Sequence, residues 1–120
     1  MFTGIHHVSI LASTEKSIEF YESLGFVVVF RKERVKDIIV LMNGYNMQIE
    51  MFIDSNHPER ASHPENLGLR HFALRTNNIE ETVKYLADKG IVCGDIGTDW
   101  EGIKYCYTED PDGLPIEIHE

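Results

Sequence analysis

The chain has 120 residues, 42% of them apolar and 26% charged, so it can bury a core and is too apolar to belong to the disordered class. A net charge of −9 argues against nucleic-acid binding, which needs a basic surface to displace counterions, and against anionic membrane surfaces. It leaves small anionic substrates open, because one or two local arginines act within a Debye length where distant charges are screened.

No apolar run approaches the roughly 18–20 residues of a membrane span. The opening Met1-Phe2-Thr3-Gly4 lacks the basic and apolar regions of a secretory signal. Cys93 and Cys106 have no metal-type spacing and read as a pair of reduced thiols. The expectation is a cytoplasmic protein that engages neither nucleic acid nor membrane.

Residues 5–11 alternate as a strand, with His7, Ser9 and Leu11 on one face and His6, Val8 and Ile10 on the other. Ser13-Thr14 reads as the cap of a helix whose buried stripe is Ile18, Tyr21 and Leu24, closed by Gly25 in the left-handed position. Residues 26–30 form a strand that runs on into the charged stretch 31–36. Residues 38–42 form the next, and Asn43-Gly44 signals a hairpin into the strand 47–53. The stretch 54–67 is polar, holds two prolines and two histidines, and reads as a linker.

The pattern then restarts. Residues 69–75 are a strand, Asn78 with Glu81 has capping-box spacing, and Ile79, Val83 and Leu86 line a helix that stops at Gly90. Residues 91–96 and 103–108 read as strands. Asp110-Pro111-Asp112-Gly113 is a turn, and residues 114–119 are the last strand. Residues 4–53 and 68–120 are thus two βαβββ units, an α+β architecture carried by one duplicated domain.

The copies match in their chemistry. His7 in Gly4-Ile5-His6-His7-Val8 corresponds to His71, 64 positions later, in Gly68-Leu69-Arg70-His71-Phe72. Glu50 in Gln48-Ile49-Glu50-Met51-Phe52 corresponds to Glu117 in Pro115-Ile116-Glu117-Ile118-His119. Taken singly, a strand histidine is more often packed than ligating, and a glutamate among apolar neighbours can simply face water. Found at equivalent places in both copies, His7, Glu50, His71 and Glu117 make a mixed N/O set suited to one divalent ion. Zinc, nickel, cobalt, manganese and iron(II) all fit such donors. Period two puts Ser9, Leu11, Gln48, Phe52, Ala73, Arg75 and His119 on the same faces. Ser9, Gln48, Phe52 and Arg75 are the candidate substrate contacts, with Arg75 suited to an anion. His6 reads as structural, and His57 and His63 as solvated.

Along its whole length the chain resembles the vicinal oxygen chelate superfamily, which includes glyoxalase I. The resemblance is carried by Ile5-His6-His7-Val8, by Phe20-Tyr21-Glu22-Ser23-Leu24-Gly25-Phe26, by Leu69-Arg70-His71-Phe72-Ala73 and most specifically by Asp110-Pro111-Asp112-Gly113-Leu114-Pro115-Ile116-Glu117. It implies two βαβββ units whose curled mixed sheets form a half-open barrel around a metal. It also implies one ligand from each of the first, fourth, fifth and eighth strands. On this chain those places hold His7, Glu50, His71 and Glu117.

Several branches of the family lack the fourth-strand carboxylate, so Glu50 points toward glyoxalase I-like lyase or isomerase chemistry. By that resemblance the substrate is a small molecule such as a 2-oxoaldehyde–thiol hemithioacetal, converted through a metal-chelated enediolate with Glu117 and Glu50 as the candidate bases. The alternatives are another metalloenzyme of the family (an epimerase, a thiol transferase or a three-ligand dioxygenase) or a non-catalytic small-molecule binder. Bacterial glyoxalase I proteins typically carry an arginine four residues after the first histidine; here that place is Leu11, which weakens the glutathione assignment and leaves the thiol open. The resemblance also implies a homodimer.

Overall fold

The computed structural model describes residues 1–120. Its elements are β1 (Val8–Ala12), α1 (Lys16–Ser23), β2 (Val27–Glu33), β3 (Ile38–Gly44), β4 (Met47–Ile53), β5 (Phe72–Arg75), α2 (Ile79–Asp88), β6 (Gly97–Thr98), β7 (Lys104–Glu109) and β8 (Pro115–His119). The order is βαβββ twice, as the repeat predicts. The chain divides into two compact units, Met1–Pro58 and Glu59–Glu120, each with one four-stranded mixed sheet.

In the first unit the strand order is β1-β4-β3-β2, with β1 parallel to β4 and the other pairs antiparallel. Alternation sorts the two faces. Ile10, Ala12, Val40, Met42, Ile49, Met51 and Ile53 are buried and form the core with Phe20, Tyr21 and Leu24 of α1. Each of the Ile, Val, Leu, Met and Phe side chains among them contributes about 1.5–3 kcal/mol when fully buried. The opposite face carries Ser9, Leu11, Leu41, Glu50 and Phe52, all exposed or half-buried.

α1 ends as its sequence predicts. Gly25 takes φ 103°, its N–H donates to the Glu22 carbonyl and that of Phe26 to the Tyr21 carbonyl, which is the Schellman arrangement. A Cβ at Gly25 would run into the Tyr45 hydroxyl, which donates to the Leu24 carbonyl. The start of α1 differs from expectation. The capping position is Glu15 in helical backbone geometry with no side-chain cap, and the Thr14 hydroxyl only accepts a long bond from the Lys16 N–H.

The hairpin also shifts by two residues. Its tip is Tyr45-Asn46, both at positive φ (54° and 60°), while Asn43 and Gly44 stay in β3 paired with Gln48 and Met47. Gly44 serves packing: a Cβ there would sit 2.7 Å from the Phe26 ring. Burying Phe26, which is 2% exposed, decides the register over the Asn-Gly turn preference.

The second unit has order β5-β8-β7-β6, again with its first and last strands parallel. Its core is Cys106, Leu114, Ile116 and Ile118 with Ile79 and Leu86 of α2. Asn78 caps α2, its side chain accepting from the Glu81 N–H at 3.1 Å. Residues 110–113 form the predicted turn: the Asp110 carboxylate accepts from the Asp112 and Leu114 N–H groups, and Gly113 sits at φ 87°. The strand expected at 91–96 does not form. Gly94 weakens it, Val92 is 80% exposed, and only the two-residue β6, beginning at Gly97, pairs with β7.

Candidate functional site

Each unit brings its histidine and its glutamate together. In the first, His7 just precedes β1 and its Nε2 lies 3.5 Å from Glu50 Oε1. In the second, His71 just precedes β5 and its Nε2 lies 2.6 Å from Glu117 Oε2. The parallel pairing of first and last strands does this, setting Ser9 beside Glu50 and Ala73 beside Glu117. Two donors on one ion at ligand distances of about 2.0–2.2 Å lie close to 3 Å apart, so each pair fits two adjacent positions of a coordination sphere. Neither unit by itself sets three or more His, Cys, Asp or Glu in an arrangement that could hold a metal ion.

Around the first pair the surroundings are apolar. Leu41 is the cross-strand partner of Glu50, and Leu11 and Ile39 flank Phe52. The Phe52 ring lies 5.7 Å beneath the Arg34 guanidinium. Ser9 is exposed on this face, and Gln48 donates across the strands to Asn43 Oδ1 at 3.0 Å. His6 is not on an opposite face. The strand starts only at Val8, so period two does not yet separate the neighbours, and His6 Nδ1 lies 2.8 Å from His7 Nδ1. His6 therefore steers which His7 nitrogen faces Glu50.

Around the second pair the surroundings are polar and aromatic. The Tyr107 hydroxyl donates to Glu117 Oε2 at 3.3 Å, and its ring packs edge-on to His71 at 5.4 Å. Burial, then the Glu117 charge, pushes the Tyr107 phenol up, so it stays a donor. His119 Nε2 is 4.0 Å from Glu117 Oε1 and 3.1 Å from Asp99 Oδ2, and its Nδ1 faces the Glu120 carbonyl at 2.7 Å. The Glu120 carbonyl, then Asp99 and Glu117, raise its pKa against partial burial. Asp99 is held below the usual carboxylate range by the N–H groups of Ile103 and Glu101 and by His119. Arg75 is exposed, and its strand partner is His119. His57 pairs with Asp54 at 3.3 Å outside both sets, and His63 is exposed.

The sequence reading missed Tyr107, Asp99 and Arg34. Tyr107 had a usable signal. Counting outward from the 110–113 turn pairs residue 109 with 115 and therefore 107 with 117. Asp99 and Arg34 had none, since each reaches its face from a loop. The two cysteines lie side by side as free thiols, and burial raises both, Cys106 to about 11, so neither is a thiolate nucleophile at neutral pH.

Two four-stranded mixed sheets, each built from a βαβββ unit and carrying one His–Glu pair, define a duplicated α+β fold. The chain belongs to the Glyoxalase/Bleomycin resistance protein/Dioxygenase superfamily, whose model matches residues 4–118. It is 37% identical to YwkD of Bacillus subtilis (strain 168), an alignment covering 100% of this chain and 98% of that one. The glyoxalase family protein from Enterococcus faecalis superposes with a TM-score of 0.92 at 39% identity, covering 99% and 98% of the two chains. Lactoylglutathione lyase from Agrobacterium tumefaciens shares the fold, with a TM-score of 0.72 at 18% identity over 98% and 93%. Members of this superfamily typically bind a divalent metal. No helix of the chain is long and apolar enough to cross a membrane.

Proposed function

We propose that the protein is a metal-dependent lyase or isomerase of the glyoxalase I kind, acting on a small substrate with two vicinal oxygens, such as a 2-oxoaldehyde–thiol hemithioacetal. The observation that supports this is the doubled imidazole–carboxylate pair, His7 with Glu50 and His71 with Glu117, at equivalent places in two equivalent sheets. His7, Glu50, His71 and Glu117 would hold the divalent ion. When bound, that ion supplies Lewis-acid stabilisation of negative charge on the two substrate oxygens.

The chain's own residues do the rest. Glu117 and Glu50 take and return the proton between adjacent carbons, each desolvated by the arriving substrate and so more basic. Tyr107 steadies Glu117 through Oε2 and leaves Oε1 for the proton. Ser9, Gln48, Phe52 and Arg75 stand on the faces the substrate meets. The protein works in the cytoplasm as a homodimer, a state that sedimentation would report.

The test is metal analysis of the purified chain beside Glu50→Ala. About one divalent ion per two pairs, weakened or lost in the variant, supports the four-ligand reading and leads to assays with hemithioacetals of several thiols. Metal held equally well without Glu50 would move the protein to the three-ligand dioxygenase or transferase classes. Failure to load any divalent ion would leave a non-catalytic small-molecule binder.

A further inference from the structure

The first unit carries a charge pattern that the proposed chemistry does not use. Residues 31–37 read Arg31-Lys32-Glu33-Arg34-Val35-Lys36-Asp37, four cations against two anions in a chain of net charge −9. Arg31 is engaged on the core side of the sheet, with Glu15 and Glu33. The other face differs. Lys32 is the strand partner of Ile39, and Ile39 of Phe52, so Lys32 lies in the row that ends on the Glu50 face.

Arg34 reaches the same row from the β2–β3 turn. Its Nε and Nη2 donate to the two Asp37 oxygens at 2.6 Å each, and its plane lies over the Phe52 ring. The Asp37 carboxylate is nearly buried, so the guanidinium is held in place and its Nη1 edge is left clear of that pair. Between this cationic end and Glu50 the face is an apolar ledge. Leu41 and Ile39 are half-buried there and Phe30 is 46% exposed, while Leu11, 56% exposed, lies on β1 beyond Phe52. Large apolar side chains left open between a carboxylate and a cationic end, where Arg34 is pinned by Asp37 and Lys32 is exposed, describe a ligand with matching parts.

We propose that this ledge binds the body of an amphipathic anion: a reactive end at Glu50, an apolar middle over Leu41, Ile39 and Phe30, and an anionic head at Lys32 and Arg34. The inference rests on Glu50 being part of the reactive site. Lys32 lies one two-residue step along the strands, about 7 Å, and two strands across, about 10 Å, from Glu50, so a straight body between them spans about 12 Å, or about eight to ten carbons. A leucine, not a cation, at position 11 fits the same ligand, because the charge is recognised at the far end of the face.

The experiment is calorimetric titration of the full chain with octanoate, octyl phosphate and neutral octanamide. Each titration is repeated with EDTA, so that an anion caught by a metal is told from one caught by Lys32 and Arg34. In EDTA, at least one anion is expected to bind about tenfold tighter than the amide, the size of one charge-assisted hydrogen bond at a half-exposed site. The tighter anion identifies the head group.

Lys32→Gln, which leaves the Arg34–Asp37 pair intact, narrows that gap, and adding Arg34→Gln closes it. Phe30→Glu, at an exposed position of the ledge, weakens all three probes. Equal binding of anion and amide in the unmodified chain overturns the proposal. So does a preference that survives in the double variant, or no binding of any probe. None of these results bears on metal content, so the ledge and the metal reading fail separately.

Discussion

The two units use one plan and surround its key residue differently. The strand partner of Glu50 is Leu41, and that of Glu117 is Tyr107. One step along, Phe52 faces Ile39 and Leu11, while His119 faces Tyr105 and Arg75. The Glu50 side chain is 28% exposed and that of Glu117 13%. On the parallel side Glu50 has Ser9 where Glu117 has Ala73, but at the other three positions the first sheet offers apolar surface where the second offers hydroxyls and guanidinium. A duplicated fold can keep its ligand pair while the neighbours diverge, because pairing register holds the backbone and leaves open-face side chains free to change.

The largest expected effects fall on what the units share. Met51→Ala and Ile116→Ala each truncate a fully buried strand residue, and each should cost about 2–5 kcal/mol in urea unfolding. A much smaller loss in one would mean that its core rearranges into the space.

Next comes the contrast itself. Tyr107→Phe makes the second carboxylate's surroundings resemble the first's. It should weaken divalent-metal affinity by about tenfold while leaving circular dichroism unchanged, as loss of a hydrogen bond to a ligand does. Unchanged affinity would show the two carboxylates to be equivalent despite their neighbours.

Smaller still is the helix comparison. Asn78→Ala should lower stability by about 1 kcal/mol, whereas Thr14→Ala, which removes only a long bond at the uncapped start of α1, should be close to neutral in the same thermal melts. The last effect depends on pH. Asp99 has a folded-state pKa depressed by the Ile103 and Glu101 N–H groups and by His119. Its contribution is therefore complete above the unfolded value and fades as pH falls through the depressed one. Asp99→Asn should destabilise the protein at neutral pH and lose that deficit below about pH 4. A deficit that persists in acid would assign Asp99 a packing role instead.

Much of this was legible in the residues. The βαβββ order, the Gly25 and Gly90 helix stops, the Asn78 cap and the 110–113 turn each follow from local preferences that nothing opposes. The pairing of His7 with Glu50 and of His71 with Glu117 was readable only because the pattern occurs twice. Where a tertiary contact competed, local preference lost. Asn43-Gly44 yielded the hairpin tip to Tyr45-Asn46 because Phe26 had to be buried against Gly44. The expected strand at 91–96 dissolved around Gly94.

The sequence by itself determined the duplication, the element order and which residues face which way along each strand, because alternation and turn chemistry are local properties. Tertiary structure decided which strands are neighbours, and through that which side chains meet. His6 was joined to His7, Tyr107 to Glu117, Asp99 to His119 and Arg34 to Phe52. Those contacts span from 1 to 20 positions of chain and depend on register and loop path, which no local preference encodes.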